Sequence, residues 1–272
     1  MTGPVVIVTG ASAGIGAATA KYFGARNFRV VLAARRMGRL QEIAGEIEGK
    51  GGTALAVETD ISALSQVKQL VQETMDEFGQ IDILVNNAGM GRLRWLDELD
   101  PEQDIAYQVR VNLLGTIQVT RLVLPHMMKR RSGHIINISS VAAWIAPPTY
   151  SIYAATKFGV KGFSESLRRE VKAYGIHVGT VYPGGVSTEF DQQAGVPWDT
   201  ETTTPSWLLL EAEDVARGIH RMIRKRKRGM MLPRVMKLAV WANHIFPGMV
   251  DWVLSRYFSR EGGKSKIWGE VE

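Results

Sequence analysis

The 272-residue sequence contains no cysteine. This absence excludes disulfides, thiolate metal sites and cysteine nucleophiles, and it is consistent with a reducing compartment, so we expect a cytoplasmic protein. Histidine is also scarce, with five residues. No two of them stand at the spacing of a metal-ligand pair, so we expect no metal centre. A content of 45% hydrophobic and 22% charged residues excludes a disordered chain.

Signal-peptide and membrane-spanning features are lacking as well. Residues 1–20 have no basic start and are rich in Gly, Ser and Thr, so we do not expect a signal peptide. The uncharged run 132–156 is long enough to cross a bilayer, but it contains Asn137, Ser139, Ser140, Pro147 and Pro148. These residues argue against a helix exposed to lipid.

One segment of the chain accounts for the excess of positive charge. The formal net charge of +6 is accounted for by six basic residues with no acid among them, namely Arg221, Arg224, Lys225, Arg226, Lys227 and Arg228. A local patch of this kind argues against a protein-wide nucleic-acid surface. Aromatic residues are not interleaved with the basic run, so we expect no nucleic-acid partner.

Short β-branched runs alternate with helical patterns along the chain. This alternation predicts an α/β fold, a single Rossmann-type doubly wound domain with a seven-stranded parallel sheet. The runs are apolar on both faces, as expected for strands covered by helices on both sides. The predicted strands are 5–9, 29–33, 53–58, 81–86, 133–139, 177–181 and 230–232. A helix is predicted over 62–78, with Ser62 as its N-cap.

A glycine-rich turn follows the first predicted strand and opens an alanine-rich helix. Gly10, Gly14 and Gly16 stand where backbone approaches a phosphate or packs a helix on a sheet. A pyrophosphate is therefore expected at the helix N-terminus. The Gly-x3-Gly-x-Gly spacing departs from the general dinucleotide fingerprint, so an ordinary strand-to-helix turn remains the alternative.

The end of the second predicted strand carries arginines where an NAD site usually has a carboxylate. Arg35 and Arg36 follow Ala34, and no acid stands there. A guanidinium can bind a 2′-phosphate through paired hydrogen bonds, so Arg35, with Ser12 or Arg36, favours NADP(H). The alternative is a solvated helix start.

Tyr153 and Lys157 stand at i and i+4 of a predicted helix, on one face. An unperturbed tyrosine has a pKa of about 10, and a nearby cation lowers it. Alone, the pair could equally be two surface neighbours. With 9–16, 86–89, Asn112, Ser140 and 183–184, however, the sequence resembles the short-chain dehydrogenase/reductase family, over about residues 4–232.

The resemblance implies a role for each matched residue. Tyr153 is expected as the general acid/base, and Lys157 as the residue that holds the nicotinamide ribose and lowers the tyrosine pKa. Ser140 is expected to hydrogen-bond the reacting oxygen, and Asn112 to anchor a proton-relay water. The expected cofactor contacts are Gly10, Ser12, Gly14, Ile15, Gly16, Arg35, Arg36, Asp60, Ile61, Asn86, Ala88, Gly89, Tyr153, Lys157, Pro183, Gly184, Val186 and Thr188.

The expected reaction is hydride transfer between NADP(H) and a carbonyl or secondary alcohol by a homodimer or homotetramer. The alternative is a nonenzymatic NADP-binding sensor or a membrane-associated scaffold. The complete set of Asn112, Ser140, Tyr153 and Lys157 argues against that alternative, because a binding module needs only the nucleotide site.

The substrate region is unusually apolar. The segment 189–210 contains Phe190 and Trp207, and Trp144 and Tyr150 lie near the catalytic serine. With Trp144, Tyr150 and Phe190 as lining residues, we expect a bulky hydrophobic substrate of the lipid, steroid, retinoid or aromatic ketone type. A packed lid is the alternative explanation.

Residues 233–272 form a predicted amphipathic helical extension of the domain 1–232, broken at Pro247 and Gly248. Three interpretations remain open for it. It could form a subunit interface or cover the substrate cavity, it could make peripheral membrane contact through 221–258, or it could be a solvated basic helix.

Overall fold

The fold is a parallel sheet between two layers of helices, as given by a computed structural model that describes residues 3–190, 194, 206–261 and 264–266. Within these residues, seven strands form one sheet in the order β3-β2-β1-β4-β5-β6-β7. They are β1 Val5–Thr9, β2 Arg29–Ala34, β3 Thr53–Glu58, β4 Ile83–Asn86, β5 Gly133–Ile138, β6 Ile176–Pro183 and β7 Gly229–Leu232. The predicted fold class and all seven predicted strands are confirmed, with bounds that differ by at most two residues.

Nine α-helices of the described residues connect and cover these strands. They are α1 Gly14–Gly24, α2 Met37–Glu48, α3 Leu64–Phe78, α4 Tyr107–Val109, α5 Thr116–Arg130, α6 Ser151–Glu170, α7 Ala212–Lys225, α8 Met236–Ile245 and α9 Pro247–Tyr257. The break at 247 is confirmed, since α8 ends at Ile245 and Pro247 begins α9. A short antiparallel pair, β8 Ser259–Glu261 and β9 Lys264–Lys266, follows.

The core has two halves, one on each side of the sheet. Successive side chains of a strand point to opposite faces. On β1, Val6 and Val8 therefore pack towards α1, α2 and α7, whereas Ile7 packs towards α3, α5 and α6. All three side chains are fully buried. This explains why the strands read as continuous apolar runs.

The prediction of Ser62 as an N-cap is wrong. Helix α3 begins at Leu64, and its N-cap is Ala63, which makes no side-chain cap. The reason is the neighbouring Asp60, whose Oδ1 accepts hydrogen bonds from Ser62 N at 2.8 Å and Ser62 Oγ at 2.7 Å. This turn uses the serine hydroxyl before the helix starts.

The approach to α5 contains two π-helical stretches that were not predicted. Pro101–Ala106 and Arg110–Gly115 are π-helical, and with α4 they run into α5 without a break. Asn112 lies in the second stretch. Such local widening of a helix is frequent at functional sites.

The strand order reverses between β1 and β4, which opens a crevice at their carboxyl ends. Thr9 ends β1, and its hydroxyl accepts hydrogen bonds from Asn87 N at 3.0 Å and Ala88 N at 3.1 Å. These bonds fix the loop after β4 against the loop after β1. A ligand is expected in this crevice.

The basic run 221–228 lies at the amino ends of the strands, opposite the ends where the crevice opens. Arg226 donates to Gly175 O at 2.7 Å, and the carbonyl of Lys227 bonds the ring of His177 at 2.9 Å, both at the start of β6. Strand β7 then runs parallel to β6 towards the carboxyl ends of the strands, a rise of about 10–13 Å, and α8 follows it. The basic run and α8 therefore lie at opposite ends of the strands.

Candidate active site

A large cavity of about 850 Å³ lies at the carboxyl ends of the strands. Its walls come from the loops after β1, β2, β3, β4, β5 and β6 and, at the far end, from α8 and α9. Of the expected site residues, it is lined by Gly10, Ser12, Gly14, Ile15, Arg35, Arg36, Asp60, Ile61, Ala88, Gly89, Ser140, Tyr150, Tyr153, Lys157, Pro183, Gly184, Val186, Thr188 and Phe190.

The glycine-rich loop leaves its backbone open to the cavity. Gly10 and Gly14 have φ of +66° and +51°, which glycine adopts at little cost. A Cβ on Gly10 would lie 2.8 Å from Ala88 Cα, and one on Gly14 would lie 3.0 Å from Thr188 Cγ2. No side chain caps α1, whose N-cap is Ala13. The exposed N–H groups at the start of α1 therefore fit a pyrophosphate.

Gly16 does not line the cavity. A Cβ there would collide with the carbonyl oxygen of Gly10 and would lie 2.6 Å from Asn87 Nδ2. Gly16 is thus needed where α1 packs against the end of β1, rather than for ligand contact.

Arg35 and Arg36 line the cavity directly after the end of β2. Both have partners that the sequence did not indicate. Arg35 Nη1 donates to the Tyr107 hydroxyl at 2.8 Å, and Arg36 Nε donates to Ser12 Oγ at 3.2 Å. Arg36 also pairs with Glu189 at 3.0 Å. Tyr107 and Glu189 both line the cavity. They come from distant segments, so only the fold could reveal them.

Ser140, Tyr153 and Lys157 all line the cavity, because β5 ends beside the first turns of α6. The Ser140 hydroxyl accepts from Ala142 N at 3.1 Å. Lys157 Nζ donates to the Ile138 carbonyl at 3.1 Å and lies 5.5 Å from the centre of the Tyr153 ring. Burial lowers the pKa of Lys157 to about 8, because desolvation disfavours the ammonium.

Asn112 is buried behind the cavity wall and does not line it. Its Nδ2 donates to Met90 O at 2.8 Å and Thr156 Oγ1 at 3.2 Å, and its Oδ1 accepts from Met90 N at 2.8 Å. A Cβ on Gly89 would lie 3.3 Å from Asn112 Oδ1 and 3.4 Å from Lys157 Nζ. Asn112 thus braces the wall next to Lys157.

Asn86 and Trp144 lie outside the cavity, contrary to expectation. Asn86 ends β4 with its side chain in the core, where Nδ2 donates to Thr120 Oγ1 and Asn137 Oδ1, each at 2.8 Å. A residue at a strand end points to one face only, and here that face is the core. Trp144 instead packs against Tyr182, and Lys161 Nζ lies 3.7 Å from its ring centre.

The apolar end of the cavity is larger than the sequence indicated. Tyr150 and Phe190 flank Tyr153, with ring centres at 6.0 and 5.6 Å from it. The C-terminal helices and the residue that follows them close this end with Met236, Ala239, Ala242, Val250, Val253, Leu254 and Phe258. Of the segment 189–210, residues 191–193 and 195–205, which include Trp198, lie outside the described residues.

Comparison with known proteins gives consistent matches. A family model described as short chain dehydrogenase matches residues 4–196. A 3-oxoacyl-[acyl-carrier-protein] reductase of Synechocystis is 38% identical over 71% of this chain and 78% of its own. An 11-beta-hydroxysteroid dehydrogenase A of Sesamum indicum is 31% identical over 97% of this chain and 78% of its own.

Solved structures match over most of the chain. A short-chain dehydrogenase from Sphingobium yanoikuyae in complex with NADPH has a TM-score of 0.78 and 26% identity, covering 97% of this chain and 100% of its own. One from Burkholderia phymatum in complex with NAD has a TM-score of 0.82 and 25% identity, covering 91% and 95%. Both cofactors thus occur among the neighbours.

Proposed function

The chain belongs to the short-chain dehydrogenase family, and on this premise we propose that it transfers hydride between NADP(H) and a bulky hydrophobic carbonyl or secondary alcohol. One observation carries the proposal. Ser140, Tyr153 and Lys157 line the same cavity as the open glycine loop and the apolar C-terminal helices. A nucleotide and an apolar substrate would therefore meet at the tyrosine.

The chemistry requires a proton at the reacting oxygen. The bound nicotinamide supplies or accepts the hydride. In the reductive direction, the Ser140 hydroxyl donates a hydrogen bond to the carbonyl oxygen, and Tyr153 donates the proton as general acid. Lys157 stabilises the tyrosine anion that remains. Asn112 acts as a positioning residue, and the relay water expected on it stays a prediction.

The preference for NADP(H) rests on charge at the end of β2. Arg35 and Arg36 line the nucleotide end, and Arg36 contacts Ser12. Two guanidinium groups provide paired donors for a 2′-phosphate. The acid in this region, Glu189, is already paired with Arg36.

The substrate class rests on the apolar end of the cavity, which two aromatic residues and the C-terminal helices enclose. Pockets with such linings bind ligands that bury apolar surface. A relative named as a hydroxysteroid dehydrogenase matches 97% of the chain, including these helices. We also propose that 1–232 and 233–272 act as one unit, in a cytoplasmic homodimer or homotetramer.

Two measurements test this function. In the first, tryptophan fluorescence is titrated with NADPH and NADH in the wild type and in Arg35→Ala. We expect tighter binding of NADPH, and loss of that preference in the variant. Equal binding of the two cofactors by the wild type would overturn the NADP(H) assignment.

In the second, apolar ketones are screened with NADPH in the wild type and in Tyr153→Phe. We expect the variant to lose about 10²–10⁴-fold in kcat while it still binds NADPH. NADPH binding without turnover of any apolar ketone or alcohol by the wild type would instead favour the sensor or scaffold alternative.

A further inference from the structure

The two C-terminal helices, α8 and α9, have a second apolar face that points away from the cavity. This outer face consists of Leu238, Trp241, Ile245, Phe246, Met249 and Trp252, all of them exposed. Leu238, Trp241 and Trp252 are 68%, 60% and 59% exposed. The ring centres of Trp241 and Phe246 are 6.4 Å apart in an edge-to-face arrangement, so the two helices present one continuous patch.

A patch of this kind is unusual for a surface that faces only water. Helix α8 has no fully buried residue, so the burial of its inner face alone gives it little stability. The outer face is rich in tryptophan and phenylalanine, which favour the boundary between a bilayer and water. An apolar surface that covered this face would therefore stabilise the two helices.

A second copy of the chain and a lipid surface are the two main candidates for covering this face, and charge distinguishes them. Residues 234–257 contain three basic residues, Arg234, Lys237 and Arg256, and one acid, Asp251. All four are exposed. A two-fold contact between copies would place two patches of net positive charge against each other. An anionic lipid surface would instead attract the basic residues while the aromatic residues insert.

We propose that the outer face of α8 and α9 docks onto an anionic phospholipid bilayer, as an interfacial contact without a membrane crossing. No helix of the described residues has the length and apolarity for a crossing. The basic run 221–228 does not take part, because it lies at the opposite end of the strands from α8. The helices would then contact lipid on one face and the substrate cavity on the other.

The test measures binding to vesicles with the full chain loaded with NADPH. The wild type should co-sediment with vesicles of phosphatidylcholine and phosphatidylglycerol, less with pure phosphatidylcholine, and less at high salt. Brominated lipid should quench its tryptophan fluorescence. The double variant Trp241→Ser/Trp252→Ser should lose both effects, and Phe158→Ser, an exposed aromatic residue on α6, should lose neither.

A pair of charge-matched variants tests the placement. Lys237→Gln/Arg256→Gln should weaken vesicle binding about 30-fold, because each of the two basic residues near a lipid surface contributes about 1 kcal/mol. Arg221→Gln/Arg224→Gln removes the same charge at the other end of the strands and should leave binding unchanged. Equal weakening by both pairs would show that net charge, rather than this face, determines binding.

The remaining outcomes overturn the proposal. If the wild type does not bind anionic vesicles and Trp241→Ser/Trp252→Ser lowers its oligomeric mass in light scattering, a second copy covers the face. If the wild type does not bind vesicles and the double variant has the same oligomeric mass as the wild type, the face is solvated. None of these results depends on turnover, so they do not affect the test of the proposed reaction.

Discussion

Lys157 is a buried cation whose protonation changes close to neutral pH. Its pKa is lowered to about 8 by burial, and its ammonium lies beside the Tyr153 ring and the Ile138 carbonyl. Above that pH it loses the charge that stabilises the tyrosine anion. We predict that kcat/KM for ketone reduction falls as pH rises through about 8.

The measurement is a pH profile of kcat/KM at saturating NADPH, for the wild type and Lys157→Met. The variant should be at least about 10²-fold slower and should lack this alkaline limb. An unchanged limb in Lys157→Met would assign the ionisation to another group. Binding of NADPH, followed by fluorescence over the same pH range, separates catalysis from cofactor loss.

Asn86 makes a structural rather than a ligand-binding contribution. Its amide donates to both Thr120 and Asn137 inside the core, and removing it leaves those two acceptors without that donor. We predict that Asn86→Ala lowers the free energy of unfolding by ~1–3 kcal/mol. The Kd for NADPH should stay within about twofold of the wild type. Urea unfolding and fluorescence titration measure the two quantities, and a large change in Kd with unchanged stability would contradict this assignment.

The contrast between Asn86 and Asn87 shows what the sequence can and cannot predict about single residues. Of the motif 86–89, Asn87, Ala88 and Gly89 line the cavity. Which asparagine faces the core depends on the strand's pleat and on Thr120, 34 residues away. Tyr107 and Glu189 were missed for the same reason, since their partners Arg35 and Arg36 are distant in sequence.

At the scale of elements, the helix pair α8 and α9 sets the length of the substrate cavity. Ala242 lies on its inner side and lines the apolar end. We predict that Ala242→Phe lowers kcat/KM for bulky ketones by about 10–200-fold, the range that small changes in pocket volume produce, and spares a small ketone.

Steady-state assays with a graded series of ketones test this effect. Ala173→Phe, at an exposed site at the opposite end of the strands, is the matched control and should not alter the series. Equal losses for small and bulky ketones would mean that α8 affects the reaction centre rather than the substrate pocket.

Sheet elements were predicted far better than irregular ones. The strands carry buried β-branched runs whose pattern is local, so their bounds were predictable from the sequence. The π-helical stretches around α4 and the late start of α3 were not predicted. The late start of α3 depends on local hydrogen-bond competition, in which Asp60 binds Ser62, and periodicity does not encode such competition.

At the scale of the whole molecule, the length of the sheet separates the cavity from a pair of histidines at the amino ends of the strands. His134 and His177 face each other at the starts of β5 and β6, with Nδ1 atoms 3.2 Å apart. His177 Nε2 must donate to the Lys227 carbonyl, because a carbonyl only accepts. The neutral ring of His177 therefore accepts at Nδ1, and His134 donates at Nδ1.

A proton added to His177 Nδ1 would break that bond, and the surroundings disfavour charge on both rings. The pKa of His134 is lowered to about 4, chiefly by burial and also by His177 and Arg226. Burial also lowers the pKa of His177, although its bond to the Lys227 carbonyl opposes this shift. In the unfolded chain both histidines would titrate near pH 6.5.

Stability should therefore decrease with acid in a defined range. Above pH 6.5 neither state binds these protons, so the pair has no effect. As pH falls from about 6.5 towards 4, the unfolded state takes up protons that the folded state refuses, and the free energy of unfolding falls by up to about 3 kcal/mol for His134. Urea unfolding of the wild type between pH 7.5 and 4.5 should show this slope.

The double variant His134→Leu/His177→Leu should flatten the slope, and His244→Gln, at an exposed site, should not. Because the pair lies at the end of the strands away from the cavity, NADPH affinity measured within the folded range should be the same in all three proteins. A slope unchanged in the double leucine variant would assign the acid sensitivity to carboxylates elsewhere.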